Sequence, residues 1–310
     1  MKEKKVSFSF LVNPSLEIIN DNGSFLDFIN EEYSATLTDC ITSIFEVDLN
    51  CSLHNYLSIV EDKKIKEYEL INSLPLRFAN LIGKFVCYDK IGIFLLSNGD
   101  IVVAKNQKIL FVKRCGRWLN FSEEIFIASL ENKVDDKLAK EIFATVMDVS
   151  FSHSGGIIAY LENDQAINSE TKIIDDFDLL NKEYVEQDLI NYLKTKGASD
   201  SVAEKEAKKR KNKKEVLSIL LNNKYNMSPM FVDVERKLRS DIAALDGALI
   251  INNKGEIIAC GTIISGDKGS SGGGRSTAAK TLSDYGFAIK VSTDGYIELF
   301  VKRDLKYSIK

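Results

Sequence analysis

Two stretches in the last third of the chain carry residues whose types and spacing could do chemistry. Asp246-Gly247-Ala248 leads into the apolar run Leu249 to Ile251, which sets a carboxylate at a strand's mouth beside two residues without bulk. A ligand or a metal can approach such a carboxylate closely. The same step also suits an Asx turn entering a hairpin. The second stretch is SGDKGSSGGG, Ser265 to Gly274, and it continues into Arg275-Ser276-Thr277-Ala278-Ala279. A glycine-rich loop entering an alanine-rich helix presents unpaired backbone N–H groups at the positive end of the helix dipole, and Arg275 adds a fork of donors matched to phosphate oxygens. That is an anion cradle. Its spacing is neither that of a P-loop nor the G-x-G-x-x-G of a dinucleotide fold, and a solvated surface loop is the alternative.

An α/β region must position these residues. Ser122-Glu123-Glu124 reads as a helix start, a serine cap with acids near the positive dipole end. Val134, Leu138, Ile142, Val146 and Val149 then recur every three or four residues, the pattern of a helix with one buried face. Gly155-Gly156 opens the apolar run Ile157 to Leu161, a buried strand. Leu249 to Ile251 and Ile257 to Gly261 form a strand pair about Asn253-Lys254-Gly255, and Phe287 to Val291 and Tyr296 to Val301 form a hairpin about Asp294-Gly295. The fold class is α/β, with a mixed central sheet flanked by helices in residues 121–310.

Residues 165–225 interrupt that region. They are polar and include the charge run EKEAKKRKNKKE from Glu204 to Glu215. Acids at both ends and no interleaved aromatics favour a solvated helix face over a nucleic-acid patch, so the segment is expected to be a helical, peripheral insertion that contributes little to any pocket. Phe231, Val234 and Leu238 follow Pro229, a residue suited to a helix's first position. Residues 1–120 read as a small α+β domain of unknown role. It holds a strand in 5–12, a helix-rich stretch over 25–60, a hairpin about Asn98-Gly99 and a third strand from Ile109 to Lys113.

Taken in order, the helix, the strand SHSGGIIAYLE, the DGA strand pair, the glycine loop, the arginine and the alanine-rich helix resemble the diadenylate cyclase domain. The resemblance covers roughly residues 125–310. Its signature is DGA plus GTRHRAA; the first is intact here, and the second stands as Gly273-Gly274-Arg275-Ser276-Thr277-Ala278-Ala279. The resemblance implies two facing domains of a homo-oligomer, each holding one ATP, in which the 3′-hydroxyl of each nucleotide attacks the α-phosphate of the other to give cyclic di-AMP. Asp246 inherits the catalytic role toward the attacking hydroxyl and the metal, Mg²⁺ or Mn²⁺. Gly247, Ala248, Gly272, Gly273, Gly274, Arg275, Ser276 and Thr277 inherit the nucleotide. Ser276 and Thr277 are neutral where the pattern has charged donors, and each charge-assisted bond contributes on the order of 1.5–3 kcal/mol. Weak or absent nucleotidyltransferase activity is therefore expected, with binding retained.

Composition removes several other classes. The 310 residues carry a net charge of -4, with 45% hydrophobic and 28% charged residues, so no overall field gathers nucleic acid or anionic membrane. Cys40, Cys51, Cys87, Cys115 and Cys260 are scattered, which indicates neither a disulfide framework nor a zinc site and suits the cytoplasm. The basic start lacks the apolar length of a signal segment, and no apolar run approaches the roughly 20 residues that span a bilayer. His54 and His153 stand apart, which argues against a histidine-based triad or metal site. Three readings follow: an adenine-nucleotide binding or sensor protein derived from a cyclase, an active diadenylate cyclase with a variant phosphate site, or a ligand-free protein-interaction module.

Overall fold

Period-two and helix-period runs become separate layers in the computed structural model, which describes residues 8–12, 56–61, 64–70, 91–95, 100–105, 108–168, 173–182, 185–221, 228–264 and 273–310. The chain divides into two compact units, Met1–Ser122 and Glu123–Lys310. The first holds strands β1 (Phe8–Val12), β2 (Tyr56–Glu61), β3 (Lys64–Leu70), β4 (Ile91–Leu95), β5 (Ile101–Lys105), β6 (Lys108–Arg114) and β7 (Arg117–Asn120). They form one sheet in the order β3-β2-β1-β4-β5-β6-β7, in which β1 and β2 run parallel and the remaining pairs antiparallel. The helix-rich reading of residues 25–60 fails at its end, where Tyr56 to Val60 belong to β2. Residues 25–55 and the Asn98-Gly99 turn lie outside the described residues. Arg114, 1% exposed, forks onto Asp100 at 2.6 Å, so the charge that β6 carries inward is matched.

The second unit holds helices α1 (Glu123–Ser129) and α2 (Asp136–Phe151), strand β8 (Gly156–Leu161), helices α3 (Gln165–Asn168), α4 (Glu186–Thr195), α5 (Asp200–Leu220) and α6 (Arg236–Ala243), strands β9 (Ala248–Ile251) and β10 (Ile257–Thr262), helix α7 (Gly273–Leu282), and strands β11 (Gly286–Val291), β12 (Ile297–Val301) and β13 (Asp304–Ile309). Asp135 caps α2, its carboxylate accepting from the Leu138 N–H at 2.8 Å. The sheet order is β10-β9-β8-β11-β12-β13, mixed, with β8 and β9 parallel. Every residue of β8, β9, β10 and β12 is buried, as a sheet covered on both faces requires. Ile157, Ala159, Leu161, Ile250 and Ala288 share one core with Ala279 and Leu282 of α7. Alternation turns Ile158, Tyr160, Phe287 and Ile289 to the other face, where α2 meets β11 and α6 meets β8, β9 and β10.

Helix α6 begins later than the proline suggested. Pro229 is no helix start, because its carbonyl accepts from the Ile257 N–H at 2.8 Å and Met230 bridges Glu256, so this segment runs beside β10. The insertion is a helical hairpin, α4 packed on α5, with Leu189, Ile190, Ala203 and Ala207 as its own small core. Among the described residues no helix is long and apolar enough to cross a membrane. Cys115 and Cys260 are free thiols, and burial pushes the Cys260 thiol up to about 12, leaving it protonated at neutral pH.

Helices α2 and α6 are clasped by charge. Asp148, 1% exposed, accepts two hydrogen bonds of 2.6 Å from the Arg236 fork, and Arg239 reaches Glu141 and the Phe231 carbonyl. Burial pushes the Asp148 carboxyl up to about 6 in spite of the fork. A carboxyl raised in the fold costs stability above its raised value, and that cost disappears as pH falls through it towards the ordinary 3.8. Arg236→Met is therefore expected to destabilise the unit by about 3 kcal/mol at pH 8 and by clearly less at pH 5, where Asp148 takes up a proton. Urea unfolding at the two pH values measures both, and equal losses would contradict an ionised pair.

Candidate functional site

Strand direction brings the candidate residues to one end of the six-stranded sheet. β8 and β9 start there, while their antiparallel neighbours β11 and β10 finish there. Asp246 and Gly247 precede β9, Gly155 precedes β8, Gly261 and Thr262 close β10, and the turn Ser292 to Tyr296 follows β11. Helix α7 starts from the same end. A Cβ on Gly155 would stand 2.8 Å from Arg275 Nη1 and 3.3 Å from Thr293 Cγ2, so the guanidinium lies over the boundary between β8 and β11.

Two backbone approaches set this geometry. Gly247 has φ +110°, and a Cβ there would run into the backbone of Gly261, a contact that only glycine permits. Gly156 sits equally close to the Ala243 carbonyl, which seats the end of α6 on the start of β8. The adjacent Gly155 and Gly156 thus perform different tasks, one under Arg275 and one under α6. With Gly247 pressed onto β10, the exposed Asp246 is left at the sheet's rim and Ala248 becomes the first buried residue of β9.

Asp246 and Arg275 have no hydrogen-bond or ion-pair partner among the described residues. The first N–H groups of an α-helix have no partner within it, and a Cβ on Gly273 or Gly274 would meet nothing within 4 Å. Among the described residues, the start of α7 is therefore uncovered. Gly272 and the loop residues 265–272 lie outside the described residues. Thr277 is half-buried and donates to the Gly273 carbonyl at 3.3 Å. Ser276 turns inward instead. It is 5% exposed, and its hydroxyl accepts from Lys290 Nζ at 2.7 Å.

Lys290 is one of two cations that the sequence reading missed. Burial pushes the Glu298 carboxyl up, but Lys290 and Lys310 together outweigh it and hold that carboxyl below its usual range. The three line one wall of a cavity of about 550 Å³ beside α7, with Lys280, Arg303 and Asp294 around it. No signal in the sequence links Lys290 to Ser276. The second cation is Lys213, from α5, whose ammonium donates to the Gly261 carbonyl. This corrects the placement of the insertion, because one of its side chains reaches the corner that holds Asp246. The available signal was the helical spacing of Ala203, Ala207, Arg210, Lys213 and Leu217, a single face turned to the fold. Its apolar members, Ala203, Ala207 and Leu217, are buried.

Among the described residues no three His, Cys, Asp or Glu side chains are grouped as a metal cage. Asp246 alone suits a divalent ion of the Mg²⁺ kind, which takes one or two carboxylates and completes its shell with phosphate oxygens and water.

Gly247→Ala is expected to destabilise the second unit by about 2–4 kcal/mol, since a positive φ and a backbone collision act together. Chemical unfolding measures the loss. A variant as stable as the parent would show that the Gly247–Gly261 approach can relax.

No protein-family model matches the chain, and no curated protein matches it. Several solved structures resemble it. One is the hypothetical membrane spanning protein from Bacillus cereus, 16% identical with a TM-score of 0.36, over 60% of this chain and 69% of that one. Another is a double mutant of DacA from Staphylococcus aureus, 17% identical with a TM-score of 0.30, over 56% of this chain and 86% of that one.

Proposed function

We propose that this end of the six-stranded sheet binds an adenine nucleotide, ATP or a cyclic dinucleotide, and that the protein is a nucleotide binding or sensing protein derived from a diadenylate cyclase. The observation that carries the reading is that Asp246 and Arg275 share one sheet end while neither has a protein partner among the described residues. A carboxylate and a guanidinium without partners among the described residues, beside a helix start that those residues leave uncovered, are complementary to a metal-bound phosphate. Adenine comes from the resemblance of the DGA and Gly-Gly-Arg motifs.

In this reading Arg275 and the first N–H groups of α7 hold phosphate oxygens, and Asp246 holds the divalent ion. When bound, Mg²⁺ or Mn²⁺ neutralises phosphate charge and favours ionisation of a hydroxyl. Gly247 and Ala248 keep the approach to Asp246 free of side chains. For the cyclase reading, two copies must face each other, and the charge developing on the transferring phosphate must be met. Lys290 is the cation nearest to the neutral Ser276, but Glu298 holds it at 2.7 Å, so turnover is weak or absent. Restoring the histidine at position 276 would have to displace Lys290 from a buried site. Thr277→Arg, on the half-buried neighbour, is the substitution that adds charge without that displacement.

Calorimetry with ATP and Mg²⁺ tests the binding. Arg275→Ala is expected to weaken affinity roughly ten- to a hundredfold, and Asp246→Asn to remove the dependence on Mg²⁺. Unchanged affinity in Arg275→Ala would overturn the pose. Incubation with ATP and Mn²⁺ followed by mass spectrometry tests the catalysis, and turnover of cyclic di-AMP at about 1 per second or faster would replace the sensor reading with the cyclase.

A further inference from the structure

Lys213 stands at the same sheet end as Asp246 and Arg275, although it comes from the insertion. A Cβ on Gly261 would lie 2.6 Å from Lys213 Nζ and 3.0 Å from the Asp246 carbonyl oxygen. The ammonium is thus beside the peptide that carries Asp246. It spends one of its three donors on the Gly261 carbonyl, and among the described residues it has no other hydrogen bond and no carboxylate at ion-pair distance. The charged groups that act on it are Asp178, Arg210 and Lys209, and Arg210 lies 3.6 Å from Asp178 and 3.7 Å from Asp175. The Cys260 thiol beside them is neutral at physiological pH. Burial lowers the Lys213 pKa from its ordinary value, which makes an added anion more welcome there.

Strand order then fixes a row. Lys213 sits at the boundary of β9 and β10, Asp246 before β9, and Arg275 over the boundary of β8 and β11. Adjacent strands are about 4.8 Å apart, so strand order sets the two cations on the order of 10 Å apart, with Asp246 between them along the row. Cation, carboxylate, cation is the complement of a polyphosphate chain that carries a divalent ion at its middle. A single phosphate reaches only one of the cations.

We infer that Lys213 is a second phosphate-binding residue that makes this site selective for a nucleoside polyphosphate over a monophosphate. The inference rests on the proposed nucleotide site and specifies which nucleotide fills it. The helical insertion is then part of the binding surface, and the α4–α5 hairpin is the element that delivers the far cation.

The test is calorimetry of the full chain with AMP, ADP and ATP in Mg²⁺, for the parent, Lys213→Met and Arg275→Ala. The parent is expected to bind ATP more tightly than AMP. Lys213→Met should weaken ATP about tenfold, one charge-assisted contact, while leaving AMP within about twofold. Arg275→Ala should weaken both. Equal effects of Lys213→Met on AMP and ATP, or none on either, would overturn the inference while leaving the nucleotide site standing. No nucleotide binding by the parent, or unchanged affinity in Arg275→Ala, would instead overturn the site itself. If Lys213→Met does not fold, lysine acetylation of the parent mapped by mass spectrometry decides the matter. ATP should protect Lys213 and AMP should not, and equal labelling with and without ATP would refute the contact.

Discussion

The meeting of Gly247 with Gly261 is the contact on which the candidate site depends. Two backbones without side chains lie against each other where β9 begins and β10 ends. Any Cβ at position 247 would push the strands apart and carry Asp246 with them. Because the contact is made of backbone alone, the first side chain on one side is a carboxylate at the rim and on the other the small Thr262. The Gly261 carbonyl is also what Lys213 holds, so the same few atoms fix the strand pair, the carboxylate and the insertion. A site built this way takes its accuracy from sheet hydrogen bonds rather than from loops.

Charge in the second unit follows a consistent division. Groups that hold helices together are paired and buried, as in Asp148 with Arg236 and Arg239 with Glu141. Groups at the sheet end, Asp246 and Arg275, are left without partners among the described residues. Buried ion pairs are costly to leave half-made, which explains why the first set is closed. A solvated charge has no such penalty, so Asp246 and Arg275 can stand open to water or to the proposed ligand.

Much of the second unit was legible in the sequence because its strands are short apolar runs ended by Gly or Asn turns. Ile157 to Leu161, Leu249 to Ile251 and Ile257 to Gly261 all lie within the observed strands. Pro229 misled, since a proline after a polar stretch suits a helix start and equally suits an edge segment whose carbonyl accepts from β10. Thr277 could be placed on the same helix as Arg275, but the inward turn of Ser276 depends on Lys290, which lies on a different strand. Lys213 was hidden for another reason. Local charge density marked its helix as solvated, whereas the buried stripe from Ala203 to Leu217 only becomes evident when each residue is assigned to a face. Pattern reports which face is apolar; it does not report what a lysine on that face will touch.

The parallel pairing of β8 with β9 has a consequence for how the chain can assemble. These neighbours are separated by residues 162–247, so no local turn can bring them together, and the sheet cannot be completed until that whole crossover has closed. Loop closure becomes costlier with length, though slowly, at about 0.6 kcal/mol for each doubling. The α4–α5 hairpin shortens the problem, because its helices meet through contacts near in sequence and have an apolar core of their own. Once it has formed, the crossover is closed as a folded arm with flanks of 24 and 27 residues, 162–185 and 221–247, rather than as a free chain of its full length. In kinetic terms, an inserted segment that folds on its own adds little to the entropic distance between the two strands it separates.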